Sequence, residues 1–196
     1  MKIGIFGDGN VGSALARGLK RAGHEVRAVG NDSAGIRDTA TFAEVVVVAV
    51  PYGAIDAVVK AAGDALAGKT VVDATNALDA NMNLAIGFTT SGAEELQKKL
   101  PKSRVVKAFN TVFAQHMESG KLGDQRLTAF VASDDEPARK RILELARSIG
   151  FDAVDSGPLK NARLLEPLAY FNIQLGYGLG MGTQIGFKLL HGKRES

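Results

Sequence analysis

Short apolar runs alternate with segments of helical periodicity along most of the chain. Apolar runs typical of buried strands occupy residues 2–6, 25–29, 45–50, 70–73, 104–108, 127–132 and 151–155. Between them, apolar residues recur at helical spacing over residues 10–22, 54–66, 91–100 and 136–149. This alternation predicts an α/β fold, with a doubly wound and mostly parallel sheet of the Rossmann type.

Two stretches depart from the regular alternation. Only about fifteen residues separate the second strand from the third, so we expect an abbreviated crossover with at most one helical turn at residues 41–44. From Leu159 onward the pattern is helical, but glycines interrupt it between residues 176 and 182. We therefore expect an NAD(P)-binding domain over residues 1–157. A C-terminal helical segment over residues 158–196 would pack on the cleft or on a dimer interface.

A glycine-rich loop, Gly7-Asp8-Gly9-Asn10-Val11-Gly12, lies between the first strand and the first helix. The G-x-G-x-x-G spacing in this context is typical of dinucleotide binding. The first glycine permits the tight turn, the second lets the backbone approach a pyrophosphate, and the third lets the helix pack on the strand. The N–H groups of Asn10 and Val11 would bind phosphate oxygens. The carboxylate of Asp8 would repel them, so we expect it to face solvent or an adjacent loop.

The end of the second strand leaves the choice between NAD and NADP open. Asp32 lies 20 residues after Gly12, the spacing at which a carboxylate binds the ribose diol of NAD. Asn31 and Ser33 could instead bind a 2′-phosphate, with Arg37 as the counter-charge. The same residues could also form a plain turn.

Polar residues follow the next three strands at the edge where ligands bind in open α/β sheets. The strands end at Val50-Pro51-Tyr52, Ala74-Thr75-Asn76 and Ala108-Phe109-Asn110-Thr111. We expect Pro51 and Tyr52 near the ribose and nicotinamide. Asn76, Asn110 and Thr111 are candidates to orient the nicotinamide amide or the hydride acceptor. Asn110 could equally cap a helix.

Composition excludes several other kinds of site. Cysteine is absent, which rules out disulfides and thiol chemistry and fits a cytoplasmic protein. Neither a His-x-x-x-His pair nor a carboxylate cluster suggests a metal site, so we expect no bound metal. The net charge is only +3 and the basic residues are scattered, so we expect no nucleic-acid partner.

Residues 167–187 carry no charge and are about long enough to span a bilayer. Asn172, Gln174 and Gln184 within this stretch would be costly in lipid, which favours a buried or interface helix over a membrane span. An exposed apolar helix of this kind predicts a homodimer.

The chain resembles the F420-dependent NADP oxidoreductases over nearly its whole length. The segments that carry the resemblance are residues 86–91, 155–166, 180–182 and 185–188, the last two being similar to the final helix of that family. Residues 105–112 are closer to a sister group, the NADPH-binding cytosolic domain of the six-transmembrane epithelial metalloreductases.

The resemblance implies hydride transfer between nicotinamide and a flavin or deazaflavin ring, with NADP as the preferred dinucleotide. Catalysis would then consist mainly of positioning, without an acid or base from the protein. If the contacts of that family apply to this chain, the dinucleotide would touch the Gly7 to Gly12 loop, Asn31, Val50, Pro51 and Ala108. The second ring would lie near Asn76, Asn110, Met181 and Gly182.

We therefore expect an NAD(P)H-dependent oxidoreductase with a small-molecule hydride acceptor such as a flavin or F420. Two alternatives stay open from the sequence. One is a dehydrogenase or reductase of a small organic substrate, and the other is a non-catalytic dinucleotide-sensing protein.

Overall fold

Five parallel strands form the central sheet of the computed structural model, which describes residues 1–192. The strands are β1 (Lys2–Phe6), β2 (Glu25–Val29), β3 (Val45–Val48), β4 (Thr70–Asp73) and β5 (Arg104–Lys107). They lie in the order β2-β1-β3-β4-β5, and each neighbouring pair is parallel. All four residues of β3 are buried, as a parallel strand covered on both faces requires.

Helices cover both faces of this sheet, and they are α1 (Asn10–Arg21), α2 (Ser33–Phe42), α3 (Ile55–Ala62), α4 (Gly92–Lys99), α5 (Ala114–Met117), α6 (Glu136–Ile149) and α7 (Ala162–Ile173). One core cluster joins α1 and α6 to the sheet, and a second joins α2, α3 and α4 to its other face. The predicted fold class, a doubly wound Rossmann sheet, is confirmed.

The two predicted strands beyond β5 form a separate parallel pair. They are β8 (Thr128–Val131) and β9 (Asp152–Asp155), connected by α6. A single antiparallel bridge joins the pair to the main sheet, because the backbone N–H of Lys107 donates to Ala132 O at 2.8 Å and the reverse bond is 3.0 Å. A short antiparallel hairpin of β6 (Lys121–Leu122) and β7 (Gln125–Arg126) is also present, which the apolar pattern did not predict.

The expectation of an abbreviated crossover after β2 is wrong. Helix α2 spans ten residues there and leads almost directly into β3. Asp32 is its N-cap, and its carboxylate accepts hydrogen bonds from the N–H groups of Ala34 at 3.3 Å and Gly35 at 2.8 Å. Because this cap starts α2 only a few residues after β2 ends, the short crossover has room for the whole helix.

The expectation of a long helix over residues 167–187 is also wrong. Helix α7 ends at Ile173, and one wider turn follows over Gln174–Gly178. Gly180 and Gly182 then have φ angles of 69° and 75°, which a right-handed helix cannot contain. Residues 185–188, which resemble the final helix of the family, are not helical. Instead, Phe187 O accepts a hydrogen bond from Thr128 N at the start of β8.

The C-terminal segment packs on the sheet edge through α7, and it continues past α5 to β8. No helix among residues 1–192 is both long enough and apolar enough to cross a membrane. Residues 193–196 of the expected C-terminal segment lie outside the described residues.

Candidate functional site

The glycine-rich loop connects β1 to α1 and has the tight geometry that a phosphate loop requires. Gly7 has a φ of 111°, and a Cβ atom there would lie 2.3 Å from Ala49 O. A Cβ atom on Gly12 would lie 1.9 Å from Gly7 O, so helix and turn approach each other too closely for any side chain. A Cβ atom on Gly9 would meet nothing within 4 Å, which leaves open space above the backbone where a pyrophosphate would approach.

Helix α1 begins at Asn10, within the Gly7 to Gly12 segment, and no side chain caps it. The first N–H groups of a helix lack intrahelical partners, and they carry the positive end of the helix dipole. The loop and the helix start therefore fit an anionic group such as a pyrophosphate. The Asp8 carboxylate lies against Gly30 in the connection from β2 to α2.

A cleft of about 460 Å³ opens beside the loop at the carboxyl edge of β1, β2 and β3. It brings together seven of the residues proposed from the sequence: Gly7, Asp8, Gly9, Asn31, Ser33, Val50 and Pro51. Residues that sequence reasoning missed complete the lining: Gly30, Ile36, Ala49, Ala54, Ala57 and Val58. Their apolar surfaces would suit an adenine ring. Ala57 and Val58 lie on α3, and Ile36 lies on α2, a helix that the sequence pattern did not predict.

Asp32, Arg37 and Tyr52 are among the proposed cofactor residues that do not line this cleft. The Asp32 carboxylate is engaged as the cap of α2. The Arg37 guanidinium lies near Gly63 at the end of α3, where a Cβ atom on Gly63 would lie 3.6 Å from Arg37 Nη1. The ring of Tyr52 packs against Gly92 at the start of α4, where burial and the nearby carboxylate of Glu166 raise the pKa of its hydroxyl.

Two asparagines meet where β4 and β5 end. Asn76 Nδ2 donates to Asn110 O at 3.1 Å, and Asn110 Nδ2 donates to Asn76 Oδ1 at 3.2 Å. Asn110 Nδ2 also donates to Leu165 O of α7 at 3.0 Å. Asn110 is only 5% exposed, and its Oδ1 atom is buried without a hydrogen-bond partner. A buried acceptor without a donor is costly, so this atom is a candidate contact for a ligand N–H group.

The backbone before Asn110 is strained in a way that supports this interpretation. Phe109 has a φ of 69°, which is rare for an aromatic residue, and its ring packs on Phe151 at a centroid distance of 5.7 Å. Such strain is concentrated at functional sites. Thr111, the third candidate at this edge, is buried, and its carbonyl accepts a hydrogen bond from Asn172 of α7.

The remaining proposed contacts are dispersed. Ala74 and Ala108 are buried at the ends of β4 and β5. Met181 and Gly182 are exposed beyond α7. They precede Thr183, whose carbonyl accepts a hydrogen bond from Gln115 Nε2 at 2.6 Å and lies 3.0 Å from His116 Nε2.

A buried charge cluster beneath the asparagines was not foreseen from the sequence. Lys107 Nζ lies 3.0 Å from Asp73 Oδ2 and 2.9 Å from Glu166 Oε1, and all three side chains are fully buried. The lysine also donates to Thr75 O at 2.7 Å. Charged residues that end two otherwise apolar strands were the available signal, but the partner on α7 was not evident.

Two further contacts complete this cluster. The second carboxylate, Glu166, accepts hydrogen bonds from Gly92 N at 2.8 Å and Ala93 N at 3.2 Å, at the start of α4. Burial alone would lower the pKa of Lys107, but the carboxylates of Asp73 and Glu166 outweigh it and raise the pKa above its usual value. The lysine therefore stays charged and holds α7 on the edge of β4 and β5.

No group of three or more His, Asp and Glu side chains in residues 1–192 could hold a metal ion.

The chain is similar to known proteins in sequence and in fold. Residues 2–77 match the family model described as NADP oxidoreductase, coenzyme F420-dependent. The F420-dependent NADP reductase of Methanothermobacter marburgensis is 30% identical, over 89% of this chain and 92% of the relative. The chain belongs to the F420-dependent NADP oxidoreductase family. Its expected enzyme class, an NADP-dependent oxidoreductase, is the class of this family.

A solved structure from Arthrobacter sp. FB24, assigned as an F420-dependent NADP reductase, matches with a TM-score of 0.89 and 30% identity. The match covers 97% of this chain and 100% of that one. The rat metalloreductase STEAP3 is 30% identical over 85% of this chain, which spans only 36% of that protein's length. Both resemblances noted in the sequence are thus confirmed.

The space around Gly12 and Gly9 predicts different effects for alanine substitutions at the two positions. Gly12→Ala drives a methyl group into Gly7 O, so we expect a large loss of stability or of soluble protein. Gly9→Ala has space for the methyl group, so the protein should fold while binding NADPH at least about tenfold more weakly, since the methyl occupies the phosphate approach. Thermal unfolding and nucleotide titration distinguish the two. Unchanged NADPH affinity in Gly9→Ala would contradict this role for the loop.

The buried charge cluster predicts a large effect of removing its only cation. Lys107→Met leaves two carboxylates buried without their partner, and we expect it to reduce the free energy of unfolding by about 3–5 kcal/mol. The control is Lys99→Met, which breaks an exposed pair with Asp56 and should cost about 1 kcal/mol or less. Urea unfolding at neutral pH measures both.

The contribution of the Lys107 charge to the free energy of unfolding changes with pH in a definite direction. A pKa raised above the usual value of 10.5 stabilises the fold at every pH below 10.5, and the contribution is lost only as the pH rises above it. The difference in the free energy of unfolding between wild type and Lys107→Met should therefore not decrease from about pH 7 to pH 10. Equal stability of the Lys107→Met and Lys99→Met proteins would show that the cluster is unimportant.

Proposed function

We propose that the protein exchanges a hydride between NADP(H) and a flavin or deazaflavin ring. The observation that carries this proposal is the chemical character of the edge formed by β4 and β5. Asn76, Asn110 and Thr111 offer amide and hydroxyl groups there. The ionisable groups beneath them, Lys107 and its two carboxylates, are buried and paired with one another.

Reduction of a carbonyl or imine requires a proton donor positioned within hydrogen-bond reach of the reacting group. A flavin or deazaflavin ring accepts a hydride on its conjugated system and can exchange its proton with solvent. A site that positions two rings without donating a proton therefore favours a ring acceptor. Membership in a family described as F420-dependent supports the same class of acceptor.

The phosphate loop and the start of α1 would hold the pyrophosphate, and the apolar cleft beside them would hold the adenosine. Asn31 and Ser33 line that cleft and would bind the 2′-phosphate of NADP by hydrogen bonds. The Asp32 carboxylate, bound to α2, is not directed at a ribose diol, which favours NADP over NAD. The dinucleotide supplies the hydride, and these residues only bind and orient it.

At the other end of the ligand, Asn110 would orient the nicotinamide. Its unpartnered Oδ1 atom is suited to accept a hydrogen bond from the carboxamide N–H group, and Asn76 fixes the amide in place. In this arrangement Asn110 sets the angle between the nicotinamide and the acceptor without taking part in proton transfer.

The exposed part of α7 and the turn after it would pair two copies of the chain. Leu164 and Phe171 lie seven residues apart on one face of α7 and are 67% and 54% exposed. Tyr177, Leu179 and Met181 extend this apolar surface. A patch of this kind is typical of an interface, so we expect a homodimer, with the segment from residue 158 onward contributing to it. Light scattering should give twice the chain mass, and a monomer at micromolar concentration would contradict the interface.

A stopped-flow assay tests the proposed reaction. We expect NADPH to be oxidised by F420 or by a flavin, and NADH to react more slowly with the same acceptor. Absence of oxidation with F420, FMN and riboflavin would overturn the proposal, and turnover only with imines or carbonyl compounds would assign a different reaction.

The contribution of Asn110 is measured in the same assay. Asn110→Ala removes the acceptor atom, and we expect kcat/KM to fall by about tenfold, the equivalent of one buried hydrogen bond to a ligand. Asn83→Ala is the matched control, because Asn83 is exposed on the loop after β4 and its side-chain Oδ1 atom accepts one hydrogen bond, from the Tyr170 hydroxyl at 3.4 Å. Equal effects of the two substitutions would exclude a specific role for Asn110.

A further inference from the structure

A second cavity lies between α1 and α5, apart from the proposed dinucleotide cleft. Its volume is about 280 Å³, and the two share no lining residue. One wall is a stripe along α1, formed by Asn10, Ser13, Ala14 and Arg17, and the other is the start of α5 with Ala114 and Gln115. The spacing of 3, 4 and 7 residues places the whole stripe on one face of the helix.

Positive charge predominates around this cavity. Arg17 Nε donates to Glu118 Oε2 at 2.6 Å, and Arg21 Nη1 lies 3.3 Å from Glu118 Oε1. Two guanidinium groups therefore share one carboxylate, which leaves one positive charge unbalanced. Only the Nε atom of Arg17 is engaged in that pair, so its terminal nitrogens can bind an anion at the cavity.

Neutral donors surround this charge. Asn10 is exposed at the start of α1, where the helix dipole is positive. Gln115 Nε2 donates one N–H to Thr183 O, which fixes the amide and leaves its second N–H available. An arginine with amide donors at a helix start is the donor set that recognises phosphate.

The position of the cavity indicates which phosphate it serves. Ala114 and Gln115 follow Asn110 and Thr111 within five residues, so the cavity adjoins the edge where the second ring would lie. The dinucleotide phosphates would be held in front of the glycine loop, and the adenosine on the far side, toward α2 and α3. Because the pyrophosphate is assigned to the backbone N–H groups of the loop and the helix start, an anion held by the side chains of Arg17 and Gln115 would belong to the other reactant.

We propose that this cavity binds the phosphate on the side chain of the hydride acceptor, and that Arg17 determines the preference for phosphorylated over unphosphorylated acceptors. This inference rests on the proposed function, because it assigns a subsite to the second ring. The ligand class is an organic phosphate ester linked to a flavin or deazaflavin.

FMN and riboflavin provide a direct test, because they share one ring system and differ by a phosphate ester. We expect wild-type kcat/KM with NADPH to be about tenfold higher for FMN than for riboflavin. Arg17→Gln should reduce this preference to less than about twofold by raising KM for FMN, while kcat, the riboflavin reaction and KM for NADPH stay unchanged.

Two further variants test whether the preference for FMN changes in the direction that the charges around Arg17 predict. Glu118→Gln removes the carboxylate that competes for Arg17, so the preference for FMN should rise at least twofold. Arg21→Gln is the comparison variant, since Arg21 shares Glu118 but does not line the cavity, and the preference should fall less than in Arg17→Gln.

Other outcomes are equally decisive. If Arg17→Gln lowers the riboflavin and FMN reactions equally, or raises KM for NADPH, the cavity does not recognise an acceptor phosphate. If no acceptor oxidises NADPH, the proposed function fails, and fluorescence titration of the flavins alone then tests the cavity. Tighter binding of FMN than of riboflavin, lost in Arg17→Gln, supports the subsite, and equal binding of the two overturns it.

Discussion

The ion cluster of Lys107, Asp73 and Glu166 is the constraint on which the arrangement of the site depends. Removing three charged side chains from water is expensive, and it is tolerated only when every charge is paired and hydrogen-bonded. Here β5 supplies the cation, β4 and α7 supply the carboxylates, and the start of α4 supplies two N–H donors. Four elements must therefore meet in one relative position.

That position defines the edge where chemistry is proposed. Because Glu166 fixes α7 above β4 and β5, the carbonyl of Leu165 reaches Asn110 and the amide of Asn172 reaches Thr111. The Nδ2 atom of Asn110 donates hydrogen bonds to Asn76 and Leu165, and its Oδ1 atom is buried without a partner. A rigid foundation of this kind suits a site whose contribution is orientation, since small displacements of a positioned ring reduce the rate strongly.

Helix α1 separates the two recognition tasks of the molecule. Its start and the loop before it present backbone N–H groups at the centre. The α2 and α3 side has apolar walls that would suit an adenine, and the α5 side has an arginine and amides that would suit an acceptor phosphate. In this interpretation, one glycine-rich loop serves two reactants because each approaches it from a different flank.

The sequence by itself determined the sheet, most helices and the phosphate loop, because strand burial, helix periodicity and the G-x-G-x-x-G turn are local patterns. Local reasoning missed helix α2. Asp32 has the spacing of a ribose ligand, yet it caps α2, and this helix has too few apolar positions to be evident without its cap. Glycines with positive φ after α7 ended a helix that composition alone had extended.

Only the tertiary structure decided which polar residues meet. Lys107 and Asp73 are 34 residues apart, and Asn110 and Asn76 are equally distant, so no spacing rule connects them. Parallel strands with matched register bring both pairs together, and α7 closes over them. The glycine loop was recognisable as a binding motif because its chemistry lies in consecutive backbone atoms. The proposed acceptor side depends on side chains from separate elements, which come together only in the folded chain.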